Sequence, residues 1–272
     1  MNNENFPHLF VSYALKAYFC VLILVRKTLK SINNNLKFKL MWLTNSSIGR
    51  KVVMSVSGLF LVLFLTFHMC MNLALVFSPE AYNMICGFLG ARWYTLALTA
   101  VLAAGFFVHI IYAFWLTYQN RKARGNDRYA VNVRQKDVEW SSKNMLVLGI
   151  IVILFLVLHM AQFWYKMQLN ELLHVDNSVN PHDGSYLVIK TFQNPVMVVL
   201  YVVWLVALWF HLTHGFWSAM QTIGINNAVW FNRWKVIGNV FTTIICLGFA
   251  FVAVTLYVQY GVLGWDVPQM AH

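Results

Sequence analysis

Residues 52–72 read VVMSVSGLFLVLFLTFHMCMN, an apolar run with one histidine, His68, set deep within it. A transmembrane helix needs about 20 apolar residues, and an imidazole inside hydrocarbon is costly enough to mark a functional position by default. Three further runs repeat the arrangement: LTAVLAAGFFVHIIYAFWL carries His109, MLVLGIIVILFLVLHMAQFW carries His159, and VMVVLYVVWLVALWFHLTHGFW carries His211. In each the histidine falls about sixteen residues after the span begins, and none of the four contains Asp or Glu. The pattern predicts a membrane-embedded ligand set.

Composition agrees. A chain of 272 residues that is 60% hydrophobic and 11% charged lies outside the range of soluble domains, so it reads as an integral membrane protein. The nine acidic residues (Glu4, Glu80, Asp127, Asp137, Glu139, Glu171, Asp176, Asp183, Asp266) fall in loops or tails, and the net charge of +11 comes from basic loops around neutral helices. Such a balance sets membrane orientation and argues against nucleic-acid binding. Cys20, Cys70, Cys86 and Cys246 form no C-x-x-C pair, which excludes the usual zinc and iron–sulfur spacings. There is no Gly-rich phosphate loop, no G-x-S-x-G and no H-E-x-x-H.

Five spans are expected, at about 52–77, 93–118, 144–168, 195–222 and 235–262, giving an all-α membrane bundle whose first four helices run up-down-up-down. Arg50 and Lys51 precede the first span, and the second connection holds Arg121, Lys122, Arg124, Arg128, Arg134, Lys136 and Lys143. Basic loops stay inside, so the second and fourth connections are expected to be cytoplasmic and the C-terminus outside. Aromatic residues at the span ends, among them Trp93, Tyr118, Tyr165, Trp230 and Tyr260, read as interfacial anchors. Residues 1–40 stand apart: Leu9 to Val25 reads as a signal anchor, an amphipathic surface helix or an extra span, followed by the basic, Asn-rich RKTLKSINNNLKFK. They are expected to be a dispensable extension of a membrane domain covering residues 41–272.

Sixteen helical residues rise about 24 Å, so His68 and His159, on outward-running spans, lie toward the outer side, and His109 and His211 toward the inner side. In an up-down-up-down bundle spans 1 and 3 are diagonal, as are spans 2 and 4. Each histidine pair then faces across the interior, at levels roughly 10 Å apart along the membrane normal. Two stacked bis-histidine haems require this geometry. His214, one turn beyond His211, is the alternative ligand or a polar neighbour of the site. His174 and His182, with Asp176 and Asp183, read as solvated loop residues. A divalent-cation transporter would instead place carboxylates or thiolates beside the histidines, and no span supplies an acid. Gly58, Gly105, Gly149 and Gly215 are expected to leave room for a flat macrocycle.

From Met41 to about Trp265 the chain resembles the single-subunit, five-helix, dihaem cytochrome b anchor of succinate dehydrogenase or fumarate reductase. The marks are HMCMN at 68–72, EAYN at 80–83, His109, His159, and HLTHGFWS at 211–218. The resemblance implies that His211 rather than His214 is the ligand, that His68 pairs with His159 on the distal b-type haem, and that His109 pairs with His211 on the proximal one. It further implies a bacterial cytoplasmic-membrane protein that docks a flavoprotein and an iron–sulfur subunit on the cytoplasmic face. Electrons would pass between that iron–sulfur subunit and a membrane quinone, menaquinone, with no succinate site on this chain. Glu80 is the candidate quinone residue. Some relatives carry a carboxylate two residues before the span-4 ligand, tied to proton movement; here that position is Trp209. Two other classes remain: the b-type cytochrome of a hydrogenase or formate dehydrogenase, and a non-haem transporter.

Overall fold

The computed structural model describes residues 24–33, 43, 45–90, 92–124, 139–173, 180 and 182–268. The chain divides into two units, Met1–Arg50 and Lys51–His272. In the first, residues 24–33 are helical and exposed, and most of the Leu9–Val25 stretch lies outside the described residues. At the end of this unit Ser46 caps the helix that follows, its Oγ accepting from Gly49 N at 2.8 Å.

Five helices are long and apolar enough to cross a membrane, and the described residues form an all-α membrane bundle. The spans are Ser47–Phe77, Trp93–Ala123, Met145–Leu173, Pro195–Thr222 and Trp230–Val262. Two widen locally into π-helix, at Met160–Leu169 directly after His159 and at Tyr257–Val262. Such widening is rare and frequently sits at functional positions. The bundle has an acidic end, where spans 1 and 2 and spans 3 and 4 connect, and a basic end, where spans 2 and 3 and spans 4 and 5 connect.

Two helices at the acidic end are not anticipated by the hydropathy reading, which treats both connections as loops. The first, Pro79–Phe88, starts because Ser78 Oγ accepts from Ala81 N at 3.1 Å and Pro79 fits the first turn. The second, Gly184–Phe192, starts because the Asp183 side chain accepts from Tyr186 N at 3.1 Å. The fourth span begins the same way, with Asn194 Oδ1 accepting from Val196 N at 2.9 Å ahead of Pro195. The expectation that Asp183 is a solvated loop acid is therefore corrected: it is buried. His182 lies beside Glu171 at 3.7 Å, half-exposed, whereas His174 and Asp176 lie outside the described residues.

The two short helices are locked to each other by polar atoms. Asn83 Nδ2 donates to Asp183 Oδ1 at 3.0 Å, Ser185 Oγ donates to the same oxygen at 3.1 Å, and Ser185 N donates to Asn83 Oδ1 at 2.8 Å. All three residues are buried, where paired groups stabilise and orphaned ones are costly. Gly184 is required by closeness, since a Cβ there would stand 2.5 Å from Cys86 Sγ and 2.9 Å from Met167 Cε. Around this clamp the main apolar core gathers Leu75, Val188, Ile189, Phe192, Val252 and Leu256. Tyr260 belongs to that core rather than to an interfacial belt, unlike Trp93 and Tyr118, which are exposed.

Span 5 packs beside spans 1 and 4. Gly248 lies against Met69 and Gly238 against Phe216, in each case so closely that a Cβ would overlap the side chain. Trp209 donates from Nε1 to Thr243 Oγ1 at 2.9 Å and ties span 4 to span 5.

Candidate functional site

The four membrane histidines meet in two pairs. His68 on span 1 and His159 on span 3 have ring centres 5.9 Å apart with planes at 89°, and His109 on span 2 and His211 on span 4 have ring centres 6.4 Å apart at 71°. These are the diagonal partners that the depth reckoning joins. The two levels are separated by a repeated offset. On span 1 a Cβ at Gly58 would lie 3.2 Å from His109 Cε1, and His68 follows ten residues later. On span 3 a Cβ at Gly149 would lie 3.6 Å from His211 Cε1, and His159 again follows ten residues later. On span 4 Tyr201 touches His159, and His211 is ten residues further on. Ten residues of helix rise about 15 Å, which replaces the shorter separation reckoned from the starts of the apolar runs.

Gly58 and Gly149 make room for the edges of imidazoles from the neighbouring span, Gly105 makes room for Phe60, and Gly215 faces Met145 at 3.9 Å. At Gly58 and Gly149 the backbone thus approaches the histidine side chains themselves.

Surroundings distinguish the pairs. His68 stacks on Phe64 at 5.5 Å and 17° and touches Phe249; His159 has Phe163, Tyr201 and Trp204 around it. At the other level the neighbours are small, Ser57 and the two glycines. Two of the four rings have hydroxyl partners at Nδ1: Ser57 Oγ at 3.3 Å from His109, and Tyr201 Oη at 3.4 Å from His159. In both cases Nε2 is the nitrogen left for a metal. The Nδ1 atom of His211 is buried without a hydrogen-bond partner.

A bis-histidine metal centre can be tested on these distances. An imidazole nitrogen sits about 2 Å from a first-row metal ion and about 1 Å from its own ring centre, so two axial imidazoles hold their ring centres about 6 Å apart. Both observed separations fit, and neutral imidazole is the right donor for haem iron. Among the described residues no group of three or more His, Cys, Asp or Glu side chains converges as a metal cluster, so the donor sets here are pairs.

The remaining predicted site residues lie apart from the pairs. His214 points toward the basic end, its ring edge-on to Trp217 at 4.9 Å, near the Lys235–Glu139 ion pair of 2.7 Å. Lys235 also sits over the Trp217 and Phe231 rings at 4.9 and 4.7 Å. Glu80 is exposed in the first turn of helix Pro79–Phe88. A hydrogen bond to its own backbone N–H and one from Ser78 Oγ, at 2.9 Å, hold its carboxyl below the usual carboxylate range. Its visible task is to favour that helix start. Sequence reasoning missed Ser57 and Tyr201; the signal available for Ser57 was its place eleven residues, three full turns, before His68 on the same helix face. No protein-family profile, curated protein or solved structure matches this chain.

Proposed function

We propose that this chain is the dihaem cytochrome b membrane anchor of a succinate:quinone oxidoreductase, carrying electrons between an iron–sulfur subunit and membrane quinone. The observation that carries the reading is the pairing of four span histidines, two by two, at metal-bridging separation and two depths. His68 and His159 would hold one b-type haem, and His109 and His211 the other, each through Nε2. Haem held by these residues would supply one-electron exchange at each pair.

The chain's own residues do the rest. The glycines at 58 and 149 fix how near each His109-level imidazole stands to the backbone. Basic residues Arg121, Lys122 and Arg233 gather at the end nearest His109 and His211, and this is the face proposed to meet the flavoprotein and iron–sulfur subunits on the cytoplasmic side of a bacterial inner membrane. There the connection between spans 4 and 5 is a built surface: Asn227 Oδ1 accepts from Val229 N and Trp230 N, and Trp234 Nε1 donates to Ile225 O. Most of the connection between spans 2 and 3 lies outside the described residues. Quinone, proposed as menaquinone, would exchange electrons at the acidic end, near the His68–His159 level, with Glu80 the candidate contact.

A reduced-minus-oxidised spectrum with haem quantitation on the purified full chain tests the reading. Two low-spin b haems per chain are expected, together with co-purifying flavin and iron–sulfur subunits. One haem or none after adequate haem supply overturns it.

A further inference from the structure

We propose that Ser57 and Tyr201 are positioning residues that hold one histidine of each pair with its proton on Nδ1, so that Nε2 faces the metal and the hydroxyl oxygen tunes that metal's potential. This rests on the dihaem reading above and assigns roles to residues outside the ligand set.

Counting hydroxyl protons gives the direction. Tyr201 has one O–H, and it donates to Gln162 Oε1 at 2.6 Å, an amide oxygen that only accepts. The Gln162 orientation is fixed by its other end, where Nε2 donates to Met197 Sδ at 3.3 Å. With its proton committed, the phenol oxygen only accepts from His159 Nδ1–H, 3.4 Å away. The other level follows the same logic with different residues. Ser57 Oγ donates to Met54 O at 3.0 Å, leaving its oxygen to accept from His109 Nδ1–H at 3.3 Å. His68 and His211 have no hydroxyl at Nδ1 among the described residues, so each pair is built with one tuned imidazole and one plain one.

An Nδ1–H that donates pushes electron density toward Nε2, makes the ligand more basic and favours the oxidised metal. Both contacts are at the long end of the hydrogen-bond range, so the effect on each centre is modest. It is also separable, because the two hydroxyls serve different levels.

The test is a redox titration of the haem-loaded full chain followed by absorbance, with EPR of each oxidised haem. Tyr201→Phe is expected to raise the midpoint of the His68–His159 haem and leave the other unmoved. Ser57→Ala is expected to raise the midpoint of the His109–His211 haem alone, and Ser57→Thr, which keeps a hydroxyl, to restore it. Gln162→Leu frees the phenol proton and should shift the same midpoint as Tyr201→Phe, by less. If Tyr201→Phe loses its haem outright, Gln162→Leu decides: an unmoved midpoint there overturns the Tyr201 role. Unmoved midpoints in both hydroxyl variants of a chain that carries two haems overturn this inference and leave the dihaem reading standing. A wild-type chain without haem overturns both.

Discussion

The two ends of the bundle are built on different principles. At the acidic end, short helices close over the spans and are joined by buried hydrogen bonds among Asn83, Asp183 and Ser185, and the nearby histidine pair is ringed by aromatic side chains. At the basic end, the histidine pair has small neighbours, and the charged feature is the Lys235–Glu139 pair, with Lys235 over the Trp217 and Phe231 rings. The difference teaches that one end is shaped by interior packing and the other by exposed charge. The electron carrier proposed here, which would take electrons from a soluble partner at one end and pass them to a lipid-soluble one at the other, has use for both.

The largest expected effect tests whether the two levels are separate sites. His68→Ala and His159→Ala should each abolish one spectral component, and His109→Ala and His211→Ala the other. Loss of the same component from the His68 and His109 variants would break the pairing. Next, Asp183→Ala strips the clamp of its central acceptor and should cost about 1–3 kcal/mol, read as a lower thermal midpoint in detergent. The His109–His211 haem should survive that change. Charge reversal at Arg121, Lys122 and Arg124 should weaken assembly with partner subunits while both haems remain bound; full assembly with unchanged topology would sink the docking claim. A smaller effect is expected in redox order: cations near the basic end favour the reduced metal, so the His109–His211 haem should titrate above the other. The smallest concerns Cys86, whose thiol is pushed up to about 11 by burial. At pH 8 only about one part in a thousand is then thiolate, and alkylation should be slow while the clamp is closed. Because this value is raised in the fold, the associated stability is intact below the ordinary thiol range and is lost as pH rises through about 11.

Hydropathy was enough to find the spans, because a run of 20 or more apolar residues is too long for the buried helix of a small soluble domain and matches the thickness of a bilayer. The histidine pairs were legible for a related reason: in an alternating bundle, matched depth on four consecutive spans leaves little freedom in which rings meet. The acid-end helices were not legible as helices, since segments of ten and nine residues are too short to register in a search for membrane-length apolar runs. Their starts were written in the sequence as Ser78-Pro79 and Asp183-Gly184, capping signals that a search for spans passes over. Tyr201 was hidden for another reason. It sits among apolar residues of span 4, and only the packed structure shows that its hydroxyl meets Gln162 and His159 rather than a headgroup.

The clamp between the short helices also bears on how the chain enters the membrane. Ser185 N reaches an oxygen 102 positions earlier in the chain, across two complete spans. With both spans across, the second short helix returns to the side where the first one waits. A chain in which only one of the two spans crossed would strand Asn83 and Asp183 on opposite faces of the bilayer. Closure of the clamp is thus a late event in biogenesis, and it rewards the one topology in which the four histidines share an interior.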